Sequence, residues 1–163
     1  TYHPQVVYHV PTLSFDPEQA AKTLCDAIEA CLPDPVKLLG SSMGGFYGTY
    51  AAERFGLPLA LINPAMNPHE LVKGFFGEQV NSYTGERYTY TPEHVALFRS
   101  LAVDVTQPER YLLLTQTGDE TLDYREGVEK FRNSPQIIEE GGSHGFDNFE
   151  NHLPGIMRFF GIE

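Results

Sequence analysis

The sequence predicts an α/β fold, a mostly parallel sheet flanked by helices. Strand-like and helix-like segments alternate along it, as they do when crossover helices join parallel strands. Capping and breaking residues separate these segments, among them Asp16-Pro17, Pro33, Pro35, Gly56 and Asn63-Pro64. One Gly/Ser-rich turn, 40–44, falls between a strand-like run and a helical one. A chain of 163 residues suits one domain with its own core, and a single unit over 1–163 is expected.

In chain order, 6–10 is a short β-branched run stopped by Pro11. A helix start follows. Asp16 stands at the N-cap, Pro17 at the first helical position and Gln19 three residues after the cap, as in a capping box. Ala20, Leu24, Ala27, Ile28 and Cys31 then recur at helical spacing until Pro33 and Pro35 end the helix. Residues 36–39 read as a buried strand, 44–55 as a helix closed by Gly56, and 57–62 as a strand broken by Asn63-Pro64. Further on, 111–115 reads as a strand, 123–132 as a helix, 136–139 as a short strand and 149–160 as the last helix.

The rhythm breaks between Asn67 and Ser100. Short helices are expected at 69–73 and 93–99, around an irregular segment holding Phe75, Phe76, Tyr83, Tyr88 and Tyr90. This stretch is expected to be a small lid-like excursion from the sheet. It reads equally well as packed surface without a substrate role.

Composition excludes several classes. Hydrophobic residues make up 41% and charged residues 20%, an ordinary globular balance. The formal net charge of −11 repels phosphate backbones and anionic bilayers, so neither nucleic acid nor membrane is an expected partner. No apolar run approaches the ~20 residues of a transmembrane helix, and a cytoplasmic location is expected. Cys25 and Cys31 lie on one predicted helix, too far apart for a disulfide. The six histidines show no metal-ligand spacing, and no metal or cofactor is expected.

Gly40-Ser41-Ser42-Met43-Gly44 matches G-x-S-x-G. A strand before it and a helix after it give the motif its meaning. A sharp turn presents the Ser42 hydroxyl, and the flanking glycines leave room for strand and helix to approach. The helix N-terminus offers the Met43 N–H to a developing oxyanion. A phosphate-binding turn is the bland alternative, but the lysine of the P-loop pattern is missing. Ser41 is a weaker candidate, because Leu39 rather than a glycine stands two residues before it.

A serine hydroxyl needs a base. His144 lies in Gly141-Gly142-Ser143-His144-Gly145-Phe146, a glycine-rich loop after the last strand. An acid is expected between serine and histidine in sequence. Asp119 follows the strand 111–115 and fits best, with Glu120 and Asp123 as rivals. Asp123 reads rather as a helix cap, and Asp147 with Glu150 as a capping box for the last helix.

These stretches carry a family likeness. Gly-Ser-Ser-Met-Gly-Gly-Phe-Tyr (40–47), Asn-Pro-Ala (63–65), Tyr-Thr-Gly (83–85), Gln-Thr-Gly-Asp-Glu (116–120), Leu-Asp-Tyr-Arg (122–125) and Glu-Gly-Gly-Ser-His-Gly-Phe (140–146) together resemble the YqiA-like esterases, a branch of the α/β-hydrolases. The resemblance implies an α/β-hydrolase fold, a triad on Ser42, Asp119 and His144, and esterase activity on acyl esters or thioesters. The family also opens with a strand and a His-Gly-Phe loop that helps to hold the oxyanion. No His-Gly pair precedes Ser42, so a further N-terminal segment carrying that strand is expected.

The expected function is therefore hydrolysis of a small acyl ester or thioester through an acyl-enzyme, with Phe75, Phe76 and Tyr83 toward the acyl group. A non-catalytic binding module on the same fold is the alternative from another class. An acyltransferase or peptidase with the same triad is a third.

Overall fold

The computed structural model describes residues 6–81 and 85–162. Helix α1 (Pro17–Cys31) starts as its sequence dictates, with Asp16 accepting the Gln19 N–H at 2.8 Å. The Gln19 side chain does not complete a capping box. It reaches Thr23 Oγ1 at 3.4 Å, and the Asp16 N–H donates to Ser14 Oγ at 3.2 Å instead.

Strand β1 (Leu38–Ser42) leads into α2 (Met43–Phe55), which Gly56 closes at φ 70°. Strand β2 (Leu59–Pro64) follows, and then the excursion. The excursion comprises α3 (Pro68–Leu71), a 3₁₀ turn (Val72–Phe75), the antiparallel pair β3 (Gly77–Val80) and β4 (Arg87–Tyr90), and α4 (Pro92–Leu101). Strand β5 (Tyr111–Gln116), α5 (Tyr124–Lys130), β6 (Gln136–Glu139) and α6 (Leu153–Phe159) complete the described chain. The main sheet has the order β1-β2-β5-β6, and every pair in it is parallel.

Period-two alternation divides the core between the two faces of this sheet. Leu59, Leu61, Tyr111 and Leu113 pack on one face with Ala20, Phe46, Tyr47, Phe98 and Phe131. Ala60, Ile62, Leu112 and Leu114 pack on the other with Phe146, Ile156 and Phe160. Both central strands are buried throughout.

Four local expectations need correction. Residues 6–10 join neither sheet, and Val7 and Val10 are 78% and 91% exposed. A β-branched run gains stability from cross-strand neighbours, and among the described residues this one pairs with no strand. Strand β1 begins at Leu38, runs on to Ser42, and is not wholly buried. The face packed by α6 excludes Leu39, which is 52% exposed. The aromatic segment contains the β3–β4 pair, anchored where Phe15 stacks on Tyr88 at 4.8 Å between ring centres. Asp147 does not cap the last helix. Its carboxylate accepts the Ser143 hydroxyl at 2.7 Å, and a 3₁₀ turn (Phe149–His152) precedes α6 with Asn148 before it. Among the described residues no helix is long and apolar enough to cross a membrane.

Candidate active site

The candidate residues gather at the C-terminal ends of the parallel strands, where open α/β sheets place their ligands. Ser42 is the last residue of β1 and turns into α2 at φ 51°, ψ −124°. This is a positive-φ conformation that a non-glycine residue adopts only under constraint. Gly40 makes the turn feasible, because a Cβ there would lie 2.5 Å from the Gly44 carbonyl oxygen. Space around Gly44 itself is open, so the tight position is the glycine before the serine. Met43 is the first residue of α2, and its N–H has no carbonyl four residues back within the helix.

His144 Nε2 lies 3.1 Å from Ser42 Oγ. His144 Nδ1 lies 2.9 and 3.0 Å from the two carboxylate oxygens of Asp119. This geometry assigns the proton to Nδ1 and leaves Nε2 as acceptor for the serine hydroxyl. The Asp119 side chain is 1% exposed. Its Oδ1 accepts the N–H groups of Thr121 at 2.8 Å and Leu122 at 2.9 Å, which hold the carboxylate in place. The rivals are occupied elsewhere. Glu120 accepts the backbone N–H of His144 at 2.9 Å, and Asp123 caps α5 while pairing with Arg125 at 2.7 Å.

Three positioning contacts were not read from the sequence. Asn63 reads there only as a strand breaker, yet its Nδ2 donates to the carbonyls of Ser143 and His144. Gln116 Oε1 accepts the Ser143 N–H at 3.1 Å and the Asp147 N–H at 2.8 Å. It fills the space beside Gly142, where φ is 76° and a Cβ would fall 2.0 Å from that oxygen. Glu120 supports the loop rather than the ring. The available signal was polar residues at the ends of apolar strands, in Asn-Pro-Ala and Gln-Thr-Gly-Asp-Glu.

A cavity of about 190 Å³ lies beside this group, lined in part by Ala65, Met66, Leu71 and Leu122. It shares backbone with the Ser42–Asp119 side of the group. The Ala65 N–H donates to the Ser42 carbonyl at 3.0 Å, and Leu122 holds Asp119. Phe75 and Phe76 do not line it; they are 49% and 44% exposed at the end of the 3₁₀ turn. Tyr83 lies outside the described residues. Among the described residues no group of three or more His, Cys, Asp or Glu could hold a metal ion.

Parallel sheet, strained serine turn and strand-end loops define an α/β-hydrolase fold. Solved structures share it. Est1E from Butyrivibrio proteoclasticus superposes with a TM-score of 0.61 at 15% identity, over 88% of this chain and 67% of its own. XC6422 from Xanthomonas campestris, a serine hydrolase without lid, gives 0.56 at 17% identity over 89% and 59%. Mouse alpha/beta hydrolase domain-containing protein 10 gives 0.56 at 18% identity over 85% and 67%. The chain belongs to the Uncharacterised protein family (UPF0227), the YqiA-like family, whose model matches residues 1–161.

Proposed function

We propose that the protein is a serine hydrolase that cleaves carboxylic acyl esters or thioesters through an acyl-enzyme on Ser42. The observation that carries this reading is the continuous line from Ser42 Oγ through both nitrogens of His144 to Asp119, with steps of 3.1 and 2.9 Å. Nucleophile, base and orienting acid stand in that relation in serine hydrolases of unrelated fold.

The chemistry follows from the geometry. His144 Nε2 takes the Ser42 hydroxyl proton as Oγ bonds to the acyl carbon. The carbonyl oxygen becomes an oxyanion, toward which the Met43 N–H and the positive end of α2 are directed. Collapse expels the alcohol or thiol, which leaves with the proton from Nε2. Water then attacks the acyl-enzyme by the same exchange, freeing the carboxylic acid and Ser42. Asp119 holds the imidazole tautomer and stabilises its cation throughout.

In this reading 1–163 acts as one domain, and the segment at about 67–100 is a lid-like insertion. Phe75 and Phe76, exposed at the end of the 3₁₀ turn, supply apolar surface for the acyl chain. Labelling with a fluorophosphonate probe, located by peptide mass spectrometry, tests the reading. Modification of Ser42, with turnover of simple uncharged esters, is the expected result. An unmodified protein that turns over no ester would favour the non-catalytic alternative.

A further inference from the structure

Asn63 takes no part in the proton transfers, yet the fold spends unusual geometry on it. The residue is buried at 2% exposure with φ 39°. Ser41 pairs with Ile62 and Ser42 with Pro64, so Asn63 is an extra residue in β2 with no partner on β1. A bulge of this kind re-aims a side chain, and asparagine is among the few non-glycine residues that tolerate the left-handed region.

The amide is fully engaged. Nδ2 donates to Ser143 O at 2.9 Å and His144 O at 3.1 Å. Oδ1 accepts the Gln116 N–H at 3.0 Å and the Thr115 hydroxyl at 3.2 Å. Two residues later, the Ala65 N–H donates to the Ser42 carbonyl at 3.0 Å. The end of β2 therefore grips the histidine loop with a side chain and the serine turn with a backbone donor. Asp119 holds only the imidazole ring. The histidine loop passes through Gly141 and Gly142 at φ 77° and 76°, backbone with little intrinsic preference to keep it in place.

We propose that Asn63 is a positioning residue that sets the Ser42–His144 distance, acting through the carbonyls of residues 143 and 144. The proposal rests on the Ser42–His144–Asp119 reading. It requires a donor at this position. An aspartate would face two carbonyl oxygens with a carboxylate, whereas its protonated form would regain one donor.

Asn63→Asp is the informative variant, followed by fluorophosphonate labelling and ester turnover from pH 5 to 9 relative to wild type. At pH 8 the expected loss is about 10²-fold in labelling rate and kcat with KM little changed, the cost of misplacing a reacting group by about 1 Å. The loss should shrink as the pH falls, because a buried carboxylate without a cation takes up its proton above the usual range. Labelling at pH 8 within twofold of wild type, or a loss that does not vary with pH, would overturn the proposal. Asn63→Ser, shorter and with one donor, replaces the charged variant if that fails to fold, with the same expected fall in kcat at unchanged KM. A second readout is independent of turnover. A downfield proton resonance of His144 Nδ1–H is expected in wild type and in Ser42→Ala from the Asp119 contact, and it should broaden or vanish in Asn63→Asp. Its persistence there overturns the brace. Its loss in a protein that neither labels nor turns over ester keeps the brace and removes only the hydrolase reading.

Discussion

Asp119 meets His144 through both carboxylate oxygens, at 2.9 and 3.0 Å from the same ring nitrogen. One of those oxygens also accepts two backbone N–H groups, from Thr121 and Leu122. The backbone N–H groups thus hold the carboxylate independently of the ring, and the carboxylate in turn holds the ring. In Asp119→Asn the amide can present an N–H to the ring and select the wrong tautomer. Ester turnover should fall by about 10⁴-fold, as in serine proteases. Asp123→Asn should leave turnover nearly intact, because that carboxylate faces Arg125 and the start of α5. Steady-state kinetics of the two variants on one p-nitrophenyl ester checks the pair. Comparable losses would mean that Asp119 does not orient the base.

Ser42→Ala should lose fluorophosphonate labelling altogether and turnover by about 10⁶-fold, the scale seen when a triad serine is removed. Ser41 is an exposed strand residue paired with Ile62, and no hydrogen bond to His144 involves it. Ser41→Ala should keep labelling within a few-fold of wild type. Persistent labelling of Ser42→Ala would move the nucleophile elsewhere.

Gly40→Ala tests the serine turn without touching a reacting group. The new Cβ would lie 2.5 Å from the Gly44 carbonyl oxygen, which is backbone and cannot swing aside. Overpacking of this kind costs about 1–3 kcal/mol. A lower Tm should accompany a loss of labelling. By contrast, Gly44→Ala should be tolerated sterically, since no atom outside its immediate neighbourhood lies within 4 Å of a Cβ there.

Acid stability should depend on Glu53. Burial works to raise its carboxyl, but hydrogen bonds from Thr106 and Tyr111 outweigh that and hold it below the usual carboxylate range. A depressed folded-state value adds stability at pH above the unfolded value of about 4.3. That stability is lost as the pH falls from there through the lower folded value. Glu53→Gln should lower the Tm at pH 7 and flatten its dependence on pH below about 5. An unchanged acid limb of the Tm profile would show that the Thr106–Glu53–Tyr111 link contributes nothing to folding.

A chain-length series of p-nitrophenyl esters tests the acyl surface. Each buried methylene contributes ~0.8 kcal/mol, so a few matched carbons shift kcat/KM by one to two orders of magnitude, ~10–100-fold. Phe75→Ala and Phe76→Ala should reduce that chain-length preference. If they leave it unchanged while substitution at Leu122 or Met66 alters it, the acyl chain enters the cavity of about 190 Å³ instead.

Much was legible locally. Asp16 capping α1, Gly56 ending α2 and the alternation of apolar runs act over one to four residues, so nearby sequence suffices to read them. Ser42, Asp119 and His144 could also be picked out one by one. Each sits in a turn after a strand, and glycine spacing marks two of those turns. The antiparallel pair β3–β4 escaped notice because its strands are four residues each and polar at several positions, leaving no apolar alternation to read.

What the sequence determined by itself is therefore the strands and helices of the main sheet, to within a few residues, and the residue types at their ends. Tertiary structure alone decided which of those ends meet. Asn63 and Ser143 are 80 residues apart, and their hydrogen bond exists because parallel registry brings the ends of β2 and β5 beside the histidine loop. Likewise Asp119 rather than Glu120 faces the ring because the Thr121 and Leu122 N–H groups turn its carboxylate inward. Strand order, a one-residue bulge and the burial of an amide depend on packing the whole chain at once. No local pattern encodes them, because each is settled by partners distant in sequence.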